Sequence, residues 1–447
     1  MFSIIKNIQK KFLYRVIVLF GLLFSLSMYA ISEKEESGLA EWTVLAYIQA
    51  DNNLAPFSVY NMSDIQKVAF GDKVHMLAQW HKPYDGYIHR YKFIERGFIE
   101  DGDAIKQGTP NPEQEVVDAM VWAKKNYPAR HYMLILWNHG NGILDQPLAR
   151  RSEIGGQHVC VPWLEVPGLD LYDHRGILYS ETTHAYMTNK QLAGALHTIK
   201  EEILGQKIDI LGMDACLMAM LEVAYQVKDY ANILVASQNS EPGHGWYYEN
   251  FLTYLAKSPS NVSPIKLAKK IVSSYDQYYK KIIPFYTQSA INLCAINRVK
   301  ENLDNVVMNL MICRDIDPEK TRSMVFTARR ISLKFDTEAY IDQHSFYSSL
   351  LKIISKKLPS KKKIIGKKTR TCKEVLFEKA LNDLSVVLNK GLFVINDAVH
   401  ANVAAMYFQR AKGISVYFPK EEIHHSYYKT KFAKQSLWKD FLETIRI

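Results

Sequence analysis

Two stretches of this chain are built alike, and together they restrict the fold more than any other feature. The first is Arg130-His131-Tyr132-Met133-Leu134-Ile135-Leu136-Trp137-Asn138-His139-Gly140-Asn141-Gly142; the second is Lys207-Ile208-Asp209-Ile210-Leu211-Gly212-Met213-Asp214-Ala215-Cys216-Leu217-Met218-Ala219-Met220-Leu221-Glu222. In each, a short apolar run ends in polar and small residues, the pattern of a buried strand that stops at a sharp turn. In the second, Leu217, Met218, Leu221, Ala224 and Tyr225 recur at helical spacing, so a helix is expected directly after the turn.

Functional groups at strand ends lie at the carboxyl edge of a sheet, where open α/β folds place their ligands. Cys216 falls there, beside an expected helix amino terminus that would favour its thiolate. Two such strands in one parallel sheet bring His139 and Cys216 to the same edge, the arrangement that a Cys/His nucleophilic pair requires. Each residue alone has a plainer reading. A buried cysteine is most often a small apolar packing residue, and a strand-end histidine is often simply half solvated.

Other segments supply the rest of such a sheet. Glu41 to Ala50 reads as a buried strand ending at Asp51-Asn52-Asn53-Leu54, where Asp51 caps the next helix or helps to shape a substrate or cation site. Val74 to Trp80 is a second strand and Tyr87 to Ile94 a hairpin partner, while Glu113 to Asn126 is a crossover helix into the His139 strand. Strand and helix in alternation predict a mostly parallel, helix-flanked sheet. From Asn141 to Met187 periodicity fades, as in a functional loop or an insertion, and Arg150, Arg151 and Arg175 lie inside it. Thr188, with Gln191 three residues on, caps a helix to Leu204. Asn232 to Ser237 is a further strand, and the loop after it reaches the same edge. Ser237, Glu241 and Trp246 are therefore candidates to line a cleft, with core packing the plainer role for Trp246. Beyond a weakly marked boundary near Pro264, helices over 265–279, 299–313, 347–357 and 372–388 alternate with strands over 290–296 and 413–418.

Composition narrows the function classes. With 447 residues and 48% hydrophobic content the chain can bury a large core. Residues 1–30 run from basic positions through the apolar Val16 to Leu26 to small residues, as an export signal does; a membrane anchor is the alternative, although the run is shorter than the about 20 residues of a full span. Five scattered cysteines make no disulfide framework, and none forms a Cys-x-x-Cys pair for zinc. The net charge of +10 is concentrated in one segment, Lys352 to Lys373, with ten Lys or Arg and no acidic residue. That segment reads as a solvated loop or an attachment to anionic surfaces, and without interleaved aromatics it does not indicate nucleic acid. Asp51-Asn52-Asn53-Leu54 is not a glycine-rich phosphate loop, which sets a nucleotide-binding domain aside.

With Leu136-Trp137-Asn138-His139-Gly140-Asn141-Gly142 and Gly212-Met213-Asp214-Ala215-Cys216-Leu217-Met218, the chain resembles the clostripain family of cysteine peptidases, within the caspase, gingipain and legumain clan. The likeness extends over Tyr47 to Leu54, the Ala236 to Trp246 loop and Gly413 to Pro419, and so from about Trp42 to the C-terminus. It implies a caspase-like α/β/α sandwich: a signal or anchor over 1–30, a peptidase core over 39–263 with a processing loop at about 141–187, and a region over 264–447 that completes the fold and carries the basic loop 352–373.

The resemblance further implies that Cys216 attacks a peptide carbonyl, that His139 assists, and that amides of Gly140 and Cys216 hold the oxyanion. Asp214 occupies the position of the aspartate that receives an Arg or Lys side chain, which a carboxylate can pair with through charge-assisted hydrogen bonds. Asn138 or Asp51 could orient the histidine. The family is made as inactive precursors cut between the two motifs, which places self-cleavage at Arg150 or Arg151. No contiguous calcium loop is present, and a calcium requirement stays open. Partners are then proteins or peptides bearing Arg or Lys, with no nucleic acid, and the protein is a monomer, two-chained after processing. The competing reading is a catalytically silent binding or scaffold protein on the same fold.

Overall fold

The computed structural model describes residues 39–83, 85–107, 110–145, 176–358 and 371–445, and the backbone of the short hairpin Glu153–Ile154 with Gln157–His158. The signal segment, Arg150, Arg151, Arg175, Cys160 and residues 359–370 of the basic segment lie outside the described residues.

The strands are β1 (Ala40–Gln49), β2 (Val74–His81), β3 (Tyr87–Ile94), β4 (Gly97–Glu100), β5 (Ile105–Lys106), β6 (Ala129–Trp137), β7 (Ile208–Asp214), β8 (Ala231–Ala236), β9 (Thr287–Asn292), β10 (Tyr340–Asp342), β11 (Val399–Ala404) and β12 (Ser415–Tyr417). One sheet runs β11-β9-β8-β7-β6-β1-β2-β3-β4, with β5 paired to β3; β10 and β12 form a separate antiparallel pair. The middle, β2-β1-β6-β7-β8, is wholly parallel, and both flanks are antiparallel. Continuous apolar sequence explains the placement: β1 and β6 are buried almost end to end, as strands covered on both faces must be.

Helices cover both faces. Ala55–Gln66, Tyr248–Lys257 and Pro264–Tyr279 pack in succession on one side, and Pro112–Asn126, Asn189–Thr198, Leu221–Val227 and Ile296–Ile316 pack in succession on the other. This is an α/β/α sandwich with a mostly parallel central sheet. The sheet continues across residue 264, since β9 and β11 extend it from the C-terminal half. Among the described residues no helix is long and apolar enough to cross a membrane.

Strand β1 leads to β2 on one side of it, while β6, its other neighbour, comes later in the chain. Chain direction therefore splits between β1 and β6, and the crevice outside the carboxyl ends of these strands is where such sheets bind ligands.

Candidate active site

Register sets the site. Ile48 of β1 pairs with Trp137 of β6, and Trp137 pairs with Asp214 of β7, so these three lie in one row across the sheet. His139 stands two residues past Trp137, and Cys216 two residues past Asp214. Adjacent strands run about 4.8 Å apart, so equal offsets put both side chains on neighbouring positions of the same rim. The strand ends are tied together beyond the ladder: Asn138 N donates to Asp214 O at 3.3 Å. A Cβ on Gly140 would collide with the Cys216 carbonyl oxygen and come within 3.0 Å of Cys216 N, so the His139 turn lies directly on the Cys216 peptide.

Cys216 is half-buried and its sulfur accepts the backbone N–H of Glu241 at 3.3 Å. That donor can steady a thiolate. The helix expected directly after the cysteine begins at Leu221 instead. Leu217 adopts φ 68° and donates its N–H to Asn239 O, and Ala219 N donates to Ser237 O, so contacts with the loop after β8 hold the segment away from helix. No helix amino terminus therefore stands at Cys216, and the donor that its sulfur meets is the Glu241 amide.

The His139 ring is buried, with Nε2 at 2.7 Å from Asn53 Oδ1. The two residues that the sequence offered as its orienter are engaged elsewhere. Asn138 Oδ1 accepts the His139 main-chain N–H, and Asp51 turns inward to accept hydroxyls from Ser180 and Thr182. Nor does Asp51 cap the next helix: Asn52 Oδ1 accepts Leu54 N at 2.9 Å and makes that turn.

Near the sulfur lie two buried carboxyls, Asp214 and Glu241. Asp214 is buried and accepts the Tyr248 hydroxyl at 2.8 Å and Trp246 N at 3.2 Å. Gly245, at φ 59°, lets the loop pass against this carboxylate, where any Cβ would sit 2.6 Å from its oxygen. Glu241 is buried next to it, with Gln288 Nε2 donating to Oε1 at 3.3 Å and, among the described residues, no amide or hydroxyl donor at Oε2. Burial pushes Asp214 up to about 6 against the opposing pull of its hydrogen bonds. Burial and the neighbouring Asp214 charge hold Glu241 well above the usual carboxylate range. Two carboxyls so close in a buried site oppose each other's ionisation, and Glu241 carries the larger share of that penalty. The buried Tyr275 hydroxyl, which senses both carboxyls and Cys216, has no partner among the described residues.

Two candidates sit deeper than a cleft lining requires. Ser237 is fully buried with its hydroxyl on Thr287 at 2.8 Å, and it braces the loop. Trp246 is buried with its ring against Gly212 of β7, and only its backbone N–H reaches Asp214. Asn53 and the Glu241 amide were not singled out by sequence; only the polar Asp51-Asn52-Asn53 cluster at a strand end hinted at the first. Among the described residues no group of three or more His, Cys, Asp or Glu side chains could hold a metal ion.

Residues 163–444 match the sequence pattern of the clostripain family. The chain belongs to the clostripain family. The matched range starts after His139, so that residue's place rests on the register of β6 beside β7. Clostripain of Hathewaya histolytica is 26% identical over 272 residues, 53% of this chain and 44% of its own, so the chain matches less than half of that relative's length. Among solved structures, a secreted C11 cysteine protease from Bacteroides thetaiotaomicron with an irreversible peptide inhibitor aligns with a TM-score of 0.57 at 17% identity, over 90% of this chain and 99% of the other. An inactive zymogen C11 protease from Parabacteroides distasonis gives 0.55 at 16%, over 89% and 98%. These likenesses establish the shared fold.

Proposed function

We propose that this chain is an exported cysteine endopeptidase that cleaves after Arg or Lys and is activated by cutting itself at Arg150 or Arg151. What carries the reading is the common rim: Cys216 and His139 at equal offsets on paired strands, with the Asp214 and Glu241 carboxyls buried near the sulfur. The Cys216 thiol gives its proton to His139 as sulfur bonds to the substrate carbonyl carbon. Amides of Gly140 and Cys216 hold the oxyanion. Collapse breaks the C–N bond, and His139 passes the proton to the leaving amine. Water then attacks the thioester, its proton moves through His139 to the departing sulfur, and the carboxylic acid leaves. A guanidinium or ammonium brought to this pair meets the Asp214 carboxylate in a charge-assisted contact, with Glu241 beside it as a second acceptor.

Self-cleavage is compatible with an intact site afterwards. Downstream of the candidate positions, Asn52 and Asn138 hold the Tyr179 carbonyl at 2.8 and 3.0 Å, and Asp51 holds Ser180 and Thr182. A cut at 150 or 151 leaves β6 and β7 on different pieces that still pair in one sheet.

The test is turnover of Arg- and Lys-terminated fluorogenic peptides by wild type and Cys216→Ala. Wild type should turn over and resolve into two fragments that begin after Arg150 or Arg151, while Cys216→Ala stays inert and single-chained. No turnover by wild type before or after processing defeats the proposal and favours a silent binding protein. N-terminal sequencing of protein recovered outside the cell checks export separately.

A further inference from the structure

We propose that Asn53 is a positioning residue for His139, its side-chain oxygen accepting Nε2–H so that the neutral ring presents its lone pair at Nδ1 to the thiol and the leaving amine. The inference rests on the dyad reading above. The contact is 2.7 Å and spans the switch point of the sheet, from the loop after β1 to the turn after β6.

Both ends of this contact are anchored. On one side, Asn52 fixes the loop by accepting Leu54 N at 2.9 Å and donating to the Tyr179 carbonyl at 2.8 Å. On the other, Asn138 Oδ1 accepts the main-chain N–H of His139 at 2.5 Å. A side chain held at two fixed ends loses little freedom on forming the bond, so the ring is placed before substrate arrives.

The chemistry selects the amide orientation. A neutral imidazole has one donor nitrogen and one acceptor. Were the Asn53 amide nitrogen turned to Nε2, the ring hydrogen would sit on Nδ1, and the thiol would meet a donor where it needs an acceptor. With the oxygen there, Nδ1 takes the thiol proton and later yields it to nitrogen.

The test compares wild type, Asn53→Ala and Asn53→Asp on an Arg-terminated fluorogenic peptide, with ring nitrogen NMR of His139 in the Cys216→Ala background. Asn53→Ala should lower kcat on the order of tenfold to a hundredfold with KM within about twofold, and Asn53→Asp, which keeps an oxygen at that place, should recover most of the loss. The ring spectrum should show the Nε2–H form with Asn53 present and a mixture of tautomers without it. An unchanged kcat in Asn53→Ala, a loss confined to KM, an aspartate variant as slow as the alanine one, or an Nδ1–H ring with Asn53 in place each overturns the assignment. A wild type that turns nothing over sinks the dyad reading instead, and the ring spectrum still decides what Asn53 does.

Discussion

On the proposed function, Asp214, which closes β7 two residues before Cys216, is the group that meets the substrate's charge. To receive a cation it must be ionised, and burial has raised it to about 6. Below that value it is protonated and that charge is lost, so kcat/KM for basic peptides should fall as pH drops through about 6, with the change carried mainly by KM. Asp214→Asn should raise KM on the order of tenfold to a hundredfold at pH 7.5, the worth of a hydrogen bond to a charged group, and should erase that acidic limb. Glu241→Gln should cost less, because burial and the Asp214 charge both oppose ionisation of Glu241 and offset part of what its charge contributes to holding a cation. Steady-state kinetics from pH 5 to 8 on the three proteins check the order; equal losses in both variants would mean that this pair does not hold the substrate's charge.

At the level of elements, the site depends on how closely the ends of β6 and β7 approach. Gly140→Ala would drive a methyl group into the Cys216 carbonyl, an atom of main chain that cannot rotate away. The two strand ends must then separate, and catalytic groups displaced by about 1 Å can lose on the order of a hundredfold in rate. Loss of turnover with a melting temperature lowered by a few degrees is expected; a fully active Gly140→Ala would show that the turns have room to spare. The same strand ends explain what was legible in the sequence. The strands at β1, β6, β7 and β8 are apolar almost throughout, and the Thr188-Gln191 capping box is present as its spacing predicts. What escaped depended on distant partners. Strand β11 is half-exposed at all six positions and follows the helix Cys372–Ala398 with no turn residue between, so its pairing with β9 left no local mark. The helix Pro318–Ile331 is largely polar, although Asp317 at its cap and Pro318 behind it were available as signals. The residues after Cys216 had helical spacing, but hydrogen bonds to Ser237 and Asn239 won over local propensity. Asn53 meets a ring 86 positions away, which no reading of neighbours could find.

Across the whole molecule, buried carboxyls tie the C-terminal third to the surroundings of Cys216. Asp342, raised by burial to about 6, accepts Gln238 Nε2 from the loop after β8 and Lys412 N. Glu222 sits in the helix Leu221–Val227 that follows Cys216 and accepts Tyr417 N at 2.9 Å and the Tyr427 hydroxyl at 3.3 Å, while Oε2 has no partner among the described residues. Burial pushes Glu222 up to about 7 from an ordinary 4.5. A folded-state value raised in this way means that the folded chain binds the extra proton, so stability falls as pH rises from about 4.5 through about 7. The penalty is complete above 7 and on the order of 3 kcal/mol for a shift of this size. Buried His81, lowered to about 3, works in the opposite sense below pH 6.5, and the raised Asp214, Glu241 and Asp342 in the same sense as Glu222, so the absolute pH profile mixes several groups and a difference between variants is the cleaner reading. Glu222→Gln in a Cys216→Ala background removes the titration and keeps an acceptor for Tyr417 N. Whatever constant offset its new N–H donors introduce, the gap between variant and parent in urea unfolding should move in the variant's favour from pH 5 to pH 8, by up to ~3 kcal/mol. A gap that stays flat over that range would mean that Glu222 is held ionised by a partner, and that burial does not set its charge.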